Sequence, residues 1–217
     1  MRDKVRSYFV FTSFLYRIAM YAIMPIVVIG IGVLISSGFD RGMSTSFLVA
    51  GVTVGELLTA LEIISDIWLF GGIQKKEGTN LEYLKTSGRG RSVVRAALIM
   101  DLVRKFFTAV CVMAVCTIVL ACINGGEVGS VAVSLLYIAL MSYFFSVLGT
   151  FVARFWDMFW TNVLVCYVAG ILYVLCLLVP VWDKIAAAAV LGVLCILVSV
   201  AAVKIPLRRM EGSYYDK

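Results

Sequence analysis

Three carboxylates lie inside one long apolar stretch of the chain: Glu56, Glu62 and Asp66, in the segment 47–71. On a helix they fall within an arc of about 120°, with Glu62 and Asp66 one turn apart. A charge within a membrane span costs about 2.5–3.5 kcal/mol on insertion scales, so these groups are expected to face protein or water, not lipid. Two chemistries fit. One is a polar pathway or gate built on Glu56, Glu62 and Asp66. The other is a set of inter-helix hydrogen bonds or ion pairs, with Arg104, Lys105 and Arg154 as the cations in reach. Glu56 lies deeper than the other two and is the harder one to assign to pairing near a boundary. Just before it stands Gly51-Val-Thr-Val-Gly55, a spacing that lets two membrane helices approach closely, either within the chain or between subunits.

Other chemistry is excluded by residue type. The chain has no histidine, which removes His-based acid/base work, His metal sites and every Ser–His or Cys–His dyad. It has no G-x-x-x-x-G-K-[ST] stretch to cradle nucleotide phosphates and no HExxH. No catalytic residue and no metal ligand set is assigned. The 6 cysteines all lie in apolar stretches without a CxxC, so they read as small apolar residues of the spans.

The elements that must hold these residues follow from composition. The chain has 217 residues, of which 62% are hydrophobic and 15% charged, with a mean hydropathy of +1.02. Soluble domains carry about 45–50% apolar and about 25% charged residues, so lipid must be part of this chain's solvent. Apolar stretches near 18–37, 47–71, 98–123, 131–153, 161–180 and 185–203 are each close to the roughly 20 residues that a spanning helix needs. The expected fold is all-α, a single transmembrane domain over 1–217 with six spans. Pro25 lies within the first span, where it would kink the helix or mark the entry into the membrane. Residues 1–17 gather Arg2, Arg6, Ser13 and Arg17 within an arc of about 60°, which suits either a helix lying on the bilayer or a plain extension of the first span. The apolar run that follows is too long for a cleavable signal. The aromatic turn RFWDMFW at 154–160 suits an interface anchor.

Charge sets the expected topology. Of the 19 Lys and Arg residues, all but Arg41 and Lys184 fall on one side of a six-span arrangement. Lys and Arg accumulate in cytoplasmic loops, so both termini and the connection between spans two and three are expected in the cytoplasm of a cell whose plasma membrane the chain crosses. The net charge of +6 then reports topology, and no nucleic-acid partner is expected.

The connection between spans two and three (72–97) has an internal order that a plain loop lacks. Glu77-Gly78-Thr79 is a break followed by a helix N-cap at Thr79 or Asn80. Leu81, Tyr83 and Leu84 make a short apolar ridge beside Glu82 and Lys85, and Gly88 and Gly90 around Arg89 end it. From Arg91 a new helix runs into span three. The stretch Glu77, Gly78, Thr79, Leu81, Glu82, Leu84, Thr86, Ser87 and Arg91 resembles the E-x-G-T-L-E-x-L-x-x-T-P-x-S-R pattern of permease subunits of ABC-2 type transporters. It departs from that pattern by the extra Asn80 and by Gly88 in place of a frequent proline. The motif spans about 20 residues, and the resemblance extends to the six-span topology of the whole chain.

That resemblance implies a membrane subunit of an ATP-driven exporter, with Leu81, Glu82, Tyr83, Leu84, Lys85 and Arg89 on a coupling helix that docks in a separate ATP-binding subunit. It also implies a second permease subunit, identical or related, across a central path. ATP and Mg would be bound by the partner and no cofactor by this chain. Relatives often carry short outer helices between spans five and six; PVWDK leaves no room for them. Two other readings stay open on the residues: a substrate-binding membrane subunit of a vitamin-type importer, and a membrane immunity or scaffolding protein.

The topology is directly testable. Cysteines placed at Ser44, Glu127 and Asp183 should react with an impermeant thiol reagent from outside the cell only. Labelling of the Glu127→Cys variant from the cytoplasm would break the six-span arrangement.

Overall fold

The computed structural model describes residues 2–37, 43–70, 89–124, 128–154, 159–179 and 184–215. It is all-α with no strand among them: α1 (Arg2–Phe11), α2 (Phe14–Ile18), a π-helical turn (Ala19–Ile23), α3 (Met24–Ser37), α4 (Met43–Phe70), α5 (Gly90–Asn124), α6 (Ala132–Ala153), α7 (Phe159–Leu178) and α8 (Ile185–Tyr215). A single 3-10 turn, Val128–Val131, precedes α6. Six segments among the described residues are long and apolar enough to cross a membrane: Phe14–Ser37, Ser46–Phe70, Gly90–Asn124, Ala132–Ala153, Trp160–Leu178 and Ile185–Arg208. The chain is a membrane-embedded protein. Most of the expected 72–97 segment, with Leu81, Glu82, Tyr83, Leu84 and Lys85, lies outside the described residues.

The first span begins earlier than the proline suggested. Thr12 and Ser13 interrupt the helix, and the Ser13 hydroxyl caps α2 by accepting from the Tyr16 N–H at 3.1 Å. The chain therefore turns at Ser13, and residues 14–17 belong to the span, not to the preceding helix. Pro25 sits just after the π-helical turn. A proline ring clashes with the carbonyl four residues back and leaves it without its N–H partner; a wider turn there relieves the clash, so the span continues through Pro25. The short α1 packs along α5. It buries Tyr8 among Phe70, Val94, Ala97, Leu98 and Leu207, while Val10, Phe14 and Leu15 remain exposed. These exposed apolar side chains suit the boundary of a bilayer.

Helices α4 and α6 form the centre of the bundle. Helix α4 packs against α3, α5, α6 and α7, and α6 against α4, α5, α7 and α8. The most apolar window of α6 is 67% buried, against 22% for the first and last spans, which leave most of their surface to lipid. Helix α6 earns its central place by composition. It carries no charged residue and buries Ser134, Ser142, Ser146, Gly149 and Thr150, and small side chains let backbones approach. Ser142 Oγ donates to the Gly55 carbonyl at 3.3 Å, and Thr59 Oγ1 donates to the Ser142 carbonyl at 3.4 Å. Gly149 meets Ile63 of α4 so closely that an added Cβ would lie 2.3 Å from its Cδ1.

The Gly51–Gly55 pair is used inside the chain. A Cβ on Gly51 would meet Ile138 of α6 at 2.8 Å, and one on Gly55 would meet the Tyr173 hydroxyl of α7 at 1.9 Å. Tyr173 is fully buried and donates to the Gly51 carbonyl at 2.7 Å. Gly30, by contrast, has nothing within 4 Å of where a Cβ would stand. Replacing Gly by Ala inside a helix otherwise gains up to about 1 kcal/mol, and overpacking costs about 1–3 kcal/mol. Gly30→Ala should therefore leave the melting temperature unchanged or raised, and Gly55→Ala should lower it. Equal responses of the two variants in a detergent unfolding assay would contradict this packing.

Candidate functional site

The basic-side ends of α4, α5 and α6 bring six charged side chains into one buried cluster. Helix α4 contributes Glu62 and Asp66, one turn apart. Helix α5 contributes Asp101, Arg104 and Lys105, also one turn apart. Arg154 caps the C-terminus of α6. All six are buried. Three carboxylates face three cations, so the formal charges of the group cancel.

The pairing is specific. Arg104 makes a two-armed contact with Glu62, with Nη1 donating to Oε1 at 2.9 Å and Nη2 to Oε2. The same guanidinium reaches Asp101 Oδ1 from Nη2 at 3.0 Å. Lys105 Nζ stands 3.0 Å from Asp66 Oδ1 and 2.9 Å from Asp101 Oδ2. The second contact is ionic and off the line of a hydrogen bond, since Asp101 Oδ2 accepts none. Arg154 Nε donates to Asp66 Oδ2 at 2.7 Å, and Nη2 to Oδ1. Planar guanidinium groups match carboxylates in this two-armed fashion, which fixes geometry as well as charge.

A fourth helix joins through a proline. Pro206 lies inside α8, and its missing N–H leaves the carbonyl four residues back without a helical partner. That carbonyl belongs to Ala202, and Arg154 Nη1 donates to it at 3.2 Å. Arg154 also lies over the Phe70 ring, 5.1 Å from its centroid, a favourable cation–π position. Phe70 belongs to the apolar group around Tyr8. Burial, and then the charge of Asp101, push the Tyr8 phenol far above its ordinary value, so it stays neutral.

A carboxylate in this cluster has its charge answered on the spot. Taking ions out of water costs several kcal/mol each, and only close geometry repays it. The arrangement suits a latch that fixes α4, α5, α6 and α8 in register, and leaves no free charge there for a ligand. Glu62 and Asp66, grouped with Glu56 on sequence, are thus brought together with Arg104, Lys105 and Arg154. The sequence reading did not single out Asp101 or Pro206. Asp101 was signalled by its spacing of three and four residues from Arg104 and Lys105, and Pro206 by its position beyond an apolar run that continues as helix.

Glu56 stands apart. It is exposed on the outside of the single-chain bundle, about 9 Å along α4 from Glu62 at 1.5 Å per residue. Its side chain lies over Gly170 of α7, where an added Cβ would be 3.1 Å from Oε1. Among the described residues no side chain donates a hydrogen bond to its carboxylate. Arg89 is exposed in the turn that leads into α5. Of the aromatic stretch 154–160, Trp160 is exposed, as an interface anchor would be. Among the described residues no group of His, Cys, Asp and Glu is arranged to hold a metal.

Breaking a buried pair by removing one partner costs about 3–5 kcal/mol, because the other charge is stranded. Glu62→Gln and Arg104→Gln should each destabilise the protein on that scale. Combined, they should cost clearly less than the two losses added, with a coupling of about 0.5–3 kcal/mol in a double-mutant cycle. Simple additivity in unfolding measurements would show that the two side chains do not depend on each other. Compared with protein-family models, curated proteins and solved structures, the chain matches none.

Proposed function

We propose that this chain is the membrane-spanning permease subunit of an ATP-driven exporter of ABC-2 type, pairing with a second permease subunit and with separate ATP-binding subunits. The observation that carries the reading is the motif Glu77-Gly78-Thr79 through Arg91, placed between the second and third of six spans. Helix α5 supports it. It has 35 residues, about 52 Å at 1.5 Å per residue, against a hydrocarbon core of about 30 Å. Its first turns therefore stand outside the membrane, where they would carry the preceding segment to a partner. The distribution of Lys and Arg supports a plasma-membrane protein with both termini on the cytoplasmic side.

Glu56 supports a second permease subunit. A carboxylate exposed midway along a span is unfavourable against lipid tails. A second copy across the α4–α7 face would remove it from lipid and turn it toward a shared path. The buried cluster would hold the basic-side end rigid, so that a push on the 72–97 segment moves α4 and α5 as one piece. Transitions of this kind proceed as rigid-body movements of packed helices.

The test is the apolar ridge of the coupling segment. Truncating central anchors commonly costs about 2 kcal/mol or more, roughly thirtyfold in affinity. Tyr83→Ala with Leu84→Ala should abolish co-purification of the ATP-binding subunit and uncouple ATP hydrolysis from transport, with the melting temperature of the permease unchanged. A lowered melting temperature with undiminished ATPase binding would mean that the ridge packs back on its own bundle, and would remove the basis for the reading.

A further inference from the structure

Helices α5 and α8 leave a groove of about 520 Å³ between them on the basic side of the bundle. Two matched stripes line it. On α5, Arg91 and Arg95 stand at the outer end and Ile99 and Leu102 follow toward the membrane centre; on α8, Lys204 and Arg208 stand at the outer end and Val200 lies deeper. The two helices run in opposite directions, so cations meet cations at the mouth and apolar side chains meet apolar side chains inside. Arg95, Lys204 and Arg208 are exposed, and among the described residues none of the three forms a salt bridge with a carboxylate. The contrast with the neighbouring cluster is complete: there every cation has its carboxylate, and here none of these three does.

The geometry points to a binding site for an anionic phospholipid in the leaflet on the basic side. The order of chemistry along the groove is the order of chemistry along a lipid. A phosphate headgroup meets Arg95, Lys204 and Arg208, and one acyl chain lies between α5 and α8 over Leu102 and Val200. Basic pockets between membrane helices suit anionic headgroups, and guanidinium groups grip phosphate oxygens two at a time. A soluble anion would use the mouth and leave the apolar floor in water; a zwitterionic lipid would use the floor and gain nothing net from the cations. The inference does not depend on the transport reading, because it needs only α5, α8 and the membrane.

The full-length chain, purified in neutral detergent, is titrated with phosphatidylglycerol and with phosphatidylcholine of the same acyl chains. Bound lipid is read by native mass spectrometry and stabilisation by melting temperature. Phosphatidylglycerol should bind and stabilise, and phosphatidylcholine should do so at least tenfold more weakly. Arg95→Gln with Lys204→Gln should weaken phosphatidylglycerol binding roughly thirtyfold, the loss of two attractive charges at the surface. Val200→Trp, which fills the floor without touching charge, should weaken it as well, and this keeps the test alive if the charge variant folds poorly. Arg17→Gln, which removes a cation that lies over Phe9 and away from the groove, should leave it unchanged. Equal binding of the two lipids would overturn the proposal. So would full stabilisation by inorganic phosphate alone, which would make the groove a soluble-anion site. An equal loss in the Arg17 variant would also overturn it, since the effect would then belong to the basic side as a whole.

Discussion

The buried pairing of Asp66 with Arg154 and Lys105 is the constraint around which the basic-side end of this bundle is arranged. It ties α4 to α6 and α5 at once, and Arg154 extends it to α8 through the Ala202 carbonyl. The second pair, Glu62 with Arg104, adds a two-armed clamp one turn deeper. A network of this kind is a poor source of stability, because desolvation offsets most of the attraction, but it is intolerant of displacement. An apolar seam can slide by part of a turn at little loss. A guanidinium matched to a carboxylate cannot. Four helices are therefore fixed in register by contacts that work in one arrangement only.

How much of this was legible in the sequence differs by the range of the interaction. Spans are local features, and the apolar stretches located all six to within a few residues at most ends. Cap chemistry is local too, and it moves the start of the first span from the expected residue 18 back to Phe14. Pro25 is the conspicuous signal in that region, but a π-helical turn absorbs it and the true break is at Thr12 and Ser13. The cluster is a long-range feature. Arg104, Lys105 and Arg154 were identifiable as the cations available to Glu62 and Asp66, since few other charges lie near span ends. Which cation meets which acid depends on how the helices are rotated, and no periodicity encodes that. The contribution of Pro206 depends on the same rotation, because a freed carbonyl matters only if a donor faces it.

Helix α4 holds its three acids in two different environments. Glu62 and Asp66 face inward and are neutralised, whereas Glu56 faces outward beside Gly170, with α7 packed close because Gly55 admits the Tyr173 ring. The one helix thus links a locked end to a polar group on an open lateral face. Tyr173 fills the space above Gly55, and the Glu56 side chain lies over Gly170. An exposed carboxylate on that face is unfavourable against lipid tails. That is a stronger argument for a covered lateral face than the glycine spacing, which the structure uses up within the chain.

The cations of the basic side fall into distinct groups, and this bears on why the chain can be inserted at all. Arg104, Lys105 and Arg154 count toward a positive side in a simple tally, but each is matched by a carboxylate of the cluster. Asp101 lies on the same helix as Arg104 and Lys105, three and four residues before them, so these pairs can form as soon as α5 is helical. That lowers the cost of placing α5 near the membrane before α4 packs against it. The net orienting charge must then come from residues outside the cluster: the N-terminal arginines, the 72–97 segment and the C-terminal end of α8. Arg95, Lys204 and Arg208 belong to this second group. They are exposed and do not pair with the cluster. The neutralised group holds the helices, whereas Arg95, Lys204 and Arg208 keep their charge at the surface of the bundle.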